Sequence, residues 1–268
     1  MGTLLGMSMS TLGSRVVKVF QNLELSILCG KPIEIYSEVR DSKTLIGKIH
    51  QPKVRDIVEL GEYEYNKYIS LLLYDTDLIE SDVPINLLQF LITQAMYVED
   101  IGKIILKGLS FFFQEEVRFY TENQMGLFYL GELMDERFID FENYELIRRT
   151  LIKINYLKDM EEEEDIKFGN ETAREWYIAM KKAEQEKPQP KPKVNLHSII
   201  SALMWRSNKT IDEILGMTIY QIYDGYYRLF LIDDSLSMRQ GIYSGTVDQK
   251  GVKPDDLNWA KIIEFDKN

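Results

Sequence analysis

Few side chains in this 268-residue chain have the type and spacing that chemistry needs. Histidine, the usual proton carrier near neutral pH, occurs only as His50 and His197, in different halves of the chain. No Cys or His stands at the spacing of a zinc site. Cys29 is the only cysteine, and it reads as a buried structural thiol rather than a nucleophile, which would need a depressed pKa. The adjacent acids Glu115-Glu116 and Asp233-Asp234 have no sequence partner that would set one as acid and the other as base, so they read as solvated pairs. The acidic run Asp159 to Asp165 invites a calcium reading. It lacks the alternating ligands and internal glycine of a calcium loop, and is expected to be a solvated loop. The glycine-rich phosphate and dinucleotide motifs are absent, as is the nucleophile elbow. No catalytic, cofactor-binding or metal-binding residue is assigned, and no cofactor is expected. A carboxylate site assembled from distant residues stays open as an enzyme alternative.

With chemistry so sparse, charge and surface become the guide to function. The chain carries 32 basic and 43 acidic side chains, and residues 61–150 alone hold 7 and 17 of them. Such a segment repels phosphate backbones and anionic lipid, so neither nucleic acid nor membrane is an expected partner. No apolar run is long enough to span a bilayer, and the first 15 residues lack the basic start and apolar core of a signal peptide. The protein is therefore expected in the cytoplasm of its cell, with 45% apolar residues available for a core.

The elements that must position any site read as α+β. Residues 1–14 are expected to be loose and residues 15–186 to form a mixed domain of short antiparallel strands and several helices. Residues 187–193 form a Pro-rich linker, and 194–268 a small all-α module. Val16–Phe20 and Leu23–Leu28 read as short apolar strands. Ile33, Ile35, Ser37 and Val39 alternate with polar neighbours as a half-buried strand, which Thr44–Ile49 can meet as a hairpin. Pro52 suits the first position of a helix with Val54, Ile57 and Val58 on its buried face and Gly61 at its end. A second helix is expected from 62 to 73 and a third from Ile85 to Tyr97. Phe111–Phe113, Val117–Tyr120 and Leu127–Leu130 are candidate strands, the last two flanking a hairpin loop at Glu122–Gly126. Asp140 caps a helix with Tyr144, Ile147, Leu151 and Ile154 on one face. Another helix is expected from Glu171 to about Glu186. Alternating prolines at 188, 190 and 192 then favour an extended polyproline spacer.

The C-terminal module is the most legible part. Asn195 caps a helix facing inward with Leu196, Ile199, Ile200 and Leu203. Thr210…Glu213 and Thr218…Gln221 are capping boxes for two further helices. The last, from Ile219 to about Ile232, bears one apolar stripe through Ile219, Ile222, Tyr223, Tyr226, Leu229 and Phe230, and a second through Tyr220, Tyr227 and Leu231. A helix apolar on nearly every side either packs against the rest of its chain or docks on another polypeptide. Tyr220, Tyr223, Tyr227 and Leu231 are the candidate protein-interface residues, because Tyr gives contact area at low entropic cost. The short–long helix pair has the outline of a DNA-binding motif, yet it offers Gln221, Asp224 and Arg228 among aromatics in an acidic module, so DNA is not its expected target. Past Asp234 the chain is expected to be less regular. Trp259 and Ile262-Ile263 are expected to tuck back as a final helix or strand.

Three stretches carry a resemblance: Gly47 to Ile57, Phe141 to Arg149 and Met217 to Tyr223. Their texture and order, across most of residues 30–260, resemble accessory proteins encoded in the tail-gene clusters of bacteriophages of Gram-positive hosts, notably tail assembly chaperones. The resemblance implies a non-catalytic protein that acts inside the bacterial host by binding another tail component, often the tape-measure protein. It assigns no individual residue. The expectation is thus a binding role in virion morphogenesis. A permanent structural subunit of the tail or virion is the alternative, and a homo-oligomer is compatible with either.

Overall fold

A computed structural model of the protein describes residues 24–39, 42–76, 79, 85–123, 125–157, 194–261 and 263. The fold is α+β. Two compact units divide the chain: Met1–Pro52 with Ile57–Ile154, and Lys53–Asp56 with Asn155–Asn268. The expected loose N-terminus, the strand at 16–20, the acidic loop, the helix from Glu171 and the proline spacer lie outside the described residues.

In the first unit, β1 (Ile33–Val39) and β2 (Ser42–Ile49) form an antiparallel hairpin. Ile33, Ile35 and Ser37 are buried while Glu34 is exposed, as the alternation requires. The register slips between Ile35 and Tyr36, so Ile46 has no partner across the ladder and turns fully inward. Helix α1 (Val54–Leu60) starts with the Lys53 N–H donating to Asp56 (2.9 Å) and ends at Gly61, whose φ of 94° suits glycine. Val54 and Ile57 are buried as expected, but Val58 is 64% exposed, because seven residues of helix turn only a narrow face inward. α2 (Glu62–Leu72), α3 (Leu87–Tyr97) and α4 (Glu99–Phe113) follow.

Residues 111–113, read above as a strand, are the last turn of α4. Their β-like aromatic run is overridden by a helical stripe in which Gly102, Ile105, Gly108, Leu109, Phe112 and Phe113 are all buried. Gly108 allows a close approach: a Cβ there would stand 3.2 Å from Leu72 and Tyr68 of α2, tighter than an ordinary contact. Likewise Glu24–Leu28 form a helical turn rather than a strand, with the Cys29 N–H donating to Leu25 O.

β3 (Val117–Glu122), β4 (Met125–Leu130) and β5 (Phe138–Ile139) make a three-stranded antiparallel sheet in that order. Helix α5 (Phe141–Ile154) begins with a reciprocal cap between Asp140 and Asn143. The second oxygen of Asp140 accepts from Ser37 Oγ at 2.8 Å, tying α5 to β1. Its expected face is fully realised, with Tyr144, Ile147, Leu151 and Ile154 all buried.

The second unit holds α6 (Leu196–Ser207), α7 (Ile211–Leu215) and α8 (Ile219–Tyr243). Both expected capping boxes form: Thr210 N donates to Glu213 at 2.7 Å and Thr218 N to Gln221 at 2.9 Å, with each Thr hydroxyl accepting in return. Asn195 and Ser198 make a third. α8 does not stop near Ile232. Between Ile232 and Gly241 no glycine or proline interrupts it, Arg206 pairs with Asp233, and the helix ends where Gly245 takes φ 75° and the Thr246 N–H closes on Gly241 O. Among the described residues the chain then returns along α8 through two 3-10 turns, Gln249–Gly251 and Pro254–Leu257, with no helix or strand at Trp259, while Ile262 lies outside the described residues. It is held by carbonyls: Leu257 O accepts from Ser235 and Arg239, and Arg228 donates to Trp259 O and Lys261 O.

Candidate functional site

Of the residues singled out for chemistry, Glu115, Glu116 and Asp233 are held in ion pairs. Glu115 is bound by both terminal nitrogens of Arg137 (2.6 and 2.7 Å), and that charged hydrogen bond holds its carboxyl below the ordinary range. Glu116 pairs instead with Arg118 at 2.9 Å, so the two neighbours face different cations. Asp233 pairs with Arg206. His50 is half-buried in the first unit, where burial lowers its pKa, and His197 is exposed on α6 of the second. Cys29 is exposed, not buried as expected, because it sits at the outer end of the helical turn 24–28. Among the described residues no three His, Cys, Asp or Glu side chains are placed to share a metal ion. An open recess of about 420 Å³ in the first unit, between Leu60, Tyr68, Lys107 and Phe111, has Glu116 as its one carboxylate.

The second unit concentrates its features on α8. Its core is Ile199 and Leu203 from α6, Ile214 from α7 and Ile222 from α8, closed by Val54. Val54 is fully buried there. Its N–H donates to Met217 O at 2.9 Å, and Lys53 bridges Thr218. Residues 53–56, part of the first stretch that carries the phage resemblance, thus share one unit with the third stretch, 217–223. No periodicity in the sequence predicts this, because one turn of helix donated from over 140 positions upstream leaves no local pattern.

Around α8 the apolar residues divide. Ile219 and Ile222 go into the core. The candidate residues Tyr220, Tyr223 and Tyr227 lie on a neighbouring stripe, and Tyr156 rests on all three. Its ring is edge-on to Tyr220 (centroids 5.2 Å apart) and nearly parallel to Tyr223 and Tyr227 (6.0 and 5.6 Å). Burial in this stack, with Asp224 nearby, raises the Tyr156 hydroxyl pKa above its ordinary value. Tyr156 stands two residues past the end of α5 at φ 58°, a left-handed conformation disfavoured for an aromatic residue by roughly 1 kcal/mol. Sequence reading missed Tyr156 because its sequence neighbours give no stripe. The signal was there only as an aromatic placed just beyond a helix end.

The stack covers the stripe incompletely. Tyr220 and Tyr223 are half-buried, Tyr227 is 40% exposed and Leu231 is half-buried. Next to them Phe230 is 66% exposed, and Trp205 on α6 is 80% exposed. Exposed aromatic rings of this kind are the raw material of protein interfaces. Among the described residues no helix is long and apolar enough to cross a membrane.

Residues 184–264 match the family model of the YomV second domain, a phage-associated family of the Bacillus prophage type. The match supports a phage protein. No curated protein matches the chain. No solved structure matches it either.

Proposed function

We propose that the protein is a non-catalytic binding component of phage tail assembly, similar in role to a tail assembly chaperone. It would act in the cytoplasm of the bacterial host by holding another tail component such as the tape-measure protein. The observation that carries this reading is the aromatic stripe of α8, left partly uncovered at Tyr227, Phe230 and Leu231 within the segment that is similar to a phage-associated domain. The phage resemblance of the sequence points the same way. A partner with an apolar helical ridge would extend the cover that Tyr156 begins, in the manner of helix-in-groove recognition.

The test is affinity capture from phage-producing cells, with mass spectrometry of both the captured proteins and the finished particles. A chaperone brings down a tail protein and is missing from the particles. The Tyr227→Ser and Leu231→Ser variants keep the wild-type circular dichroism but lose that protein. A chain found in purified particles at fixed stoichiometry would instead identify a permanent subunit of the tail or virion.

A further inference from the structure

We propose that Val252–Lys261 is a releasable strap on α8, which shields Leu231 and Ile232 when closed and lengthens the accessible apolar strip of that helix when it lifts. Ser235 is the one residue of α8 beyond Ile222 that is buried, at 2% exposure, and it is polar. The returning chain shelters it: the Ser235 hydroxyl donates to Leu257 O at 2.9 Å, and Arg239 donates to the same carbonyl at 3.1 Å. Arg228 donates to Trp259 O at 2.9 Å and to Lys261 O at 2.7 Å. Arg228, Ser235 and Arg239 follow one another at helical spacing, so they mark a single line along the helix. Leu231 and Ile232 each stand three or four residues from both Arg228 and Ser235, so they flank that line. Both are half-buried.

The strap is fastened differently from a core segment. Among the described residues from Ser244 to Lys261 none is buried, and Trp259 is 48% exposed. The fastenings named above all run from a side chain of α8 to a backbone carbonyl, and water replaces the lost partner on each side when the strap moves away. A segment without buried apolar contacts opens at a lower free energy than the helix beneath it. A hinge is also in place. As far as Val247 the chain is clamped to the end of α8, where the Val247 N–H donates to Gly241 O at 3.1 Å. Gly251 follows, and a Cβ there would meet nothing within 4 Å, so the backbone has room to turn. Leu231 stands four residues after Tyr227, so lifting the strap joins Leu231 and Ile232 to the tyrosine stripe. The release is a property of this chain alone; only its use, a wider seat for a partner, rests on the tail-assembly reading.

Thiol reactivity toward iodoacetamide tests the strap on the purified full chain, with the exposed Cys29 changed to Ser. Ile232→Cys reports on the shielded position, Phe230→Cys on a 66% exposed position away from the strap, and Ile222→Cys on the core. Ile232→Cys should react at least about tenfold more slowly than Phe230→Cys. Arg228→Met with Arg239→Met removes the donors and keeps the apolar stems. The pair should speed Ile232→Cys at least about tenfold, the order expected for lost hydrogen bonds from a charged donor, and leave Ile222→Cys unreactive. An Ile232→Cys thiol as reactive as Phe230→Cys overturns the proposal, because nothing then shields it. So does a slow thiol indifferent to the arginine changes, which places the shelter elsewhere in the unit. Equal acceleration of Ile222→Cys also overturns it, since α8 then opens as a whole. If Arg228→Met fails to fold, Ser235→Ala with Arg239→Met frees Leu257 O and decides in its place. Failure to capture any tail protein would count against the tail-assembly reading and leave these rates unchanged.

Discussion

Two long apolar helices, α4 in the first unit and α8 in the second, use their side chains differently. α4 buries six residues in fifteen, all on one side, with its two glycines letting neighbouring helices approach. α8 is 25 residues long and fully buries only Ile219, Ile222 and Ser235, although it carries five tyrosines and a phenylalanine besides. The first helix is a core element whose apolar surface is spent on its own fold. In the second, aromatic surface exceeds what α6, α7 and one upstream turn can cover, and the remainder is shielded in part by Tyr156. Burial of apolar area drives both arrangements, at about 25 cal/mol per Å², but only α8 has area to spare.

The strongest way to break that comparison is to remove the upstream plug. Val54→Asp places an unpaired carboxylate in the core formed by Ile199, Leu203, Ile214 and Ile222. A loss of about 3–5 kcal/mol is expected. Native-state hydrogen exchange should then show the amides of α6 and α8 opening at least about 100-fold more readily, while those of α4 hold. Equal loss of protection in α4 would mean that both units unfold as one, and the contrast between the two helices would then say nothing about separate stabilities.

Tyr156 sharpens the comparison from the other side. Tyr156→Ala removes the ring that covers Tyr220, Tyr223 and Tyr227 and keeps the left-handed backbone, so thermal unfolding should register a loss of about 2 kcal/mol. Tyr156→Gly removes the same ring but relaxes the backbone at φ 58°, and should recover roughly 1 kcal/mol relative to alanine. If alanine and glycine behave alike, the backbone there stores no strain. If neither loses stability, the stack is incidental to the fold.

The sequence announced the two kinds of region unequally. Local signals were legible: the alternation at 33–39, the face of α5, and three helix starts marked by Asn195, Thr210 and Thr218, because each depends on residues within one or two turns. Apolar runs without a second signal were ambiguous between helix and strand, as at 111–113, where three consecutive phenylalanines carry no period of their own. Long-range pieces were not legible at all. Val54 in the second unit and Tyr156 on the tyrosine stripe are single residues delivered from elsewhere, and a one-residue contribution has no periodicity. Of the candidate surface, the stripe itself could be read, but its partial cover could not.

A third change tests how well the first unit uses its interior. Thr150 on α5 is buried at 1% exposure, and its hydroxyl has no hydrogen-bond partner among the described residues. Valine has nearly the same shape without the polar atom. Thr150→Val should therefore raise the unfolding free energy by about 1 kcal/mol in denaturant titration, since desolvating an unpaired hydroxyl costs that order. An unchanged or lower stability would show that the hydroxyl is satisfied by something the packing conceals.

The smallest effect belongs to the ion pair at the edge of the first unit, where Arg137 holds Glu115 and also donates through Nε to Ile46 O at 2.7 Å. The arginine lowers the Glu115 pKa below its ordinary 4.5. A carboxylate with a depressed folded-state pKa binds protons more tightly when unfolded. Its stabilisation is complete above the ordinary pKa and is lost as the pH falls through the lower folded value. Glu115 is 40% exposed, so water screens the pair, and Glu115→Gln should cost only about 0.5 kcal/mol at neutral pH. The difference between wild type and Glu115→Gln should shrink as the pH drops below 4.5 and vanish once the wild-type carboxyl is protonated. A gap that persists unchanged in acid would place the contribution of Glu115 in packing and not in its charge.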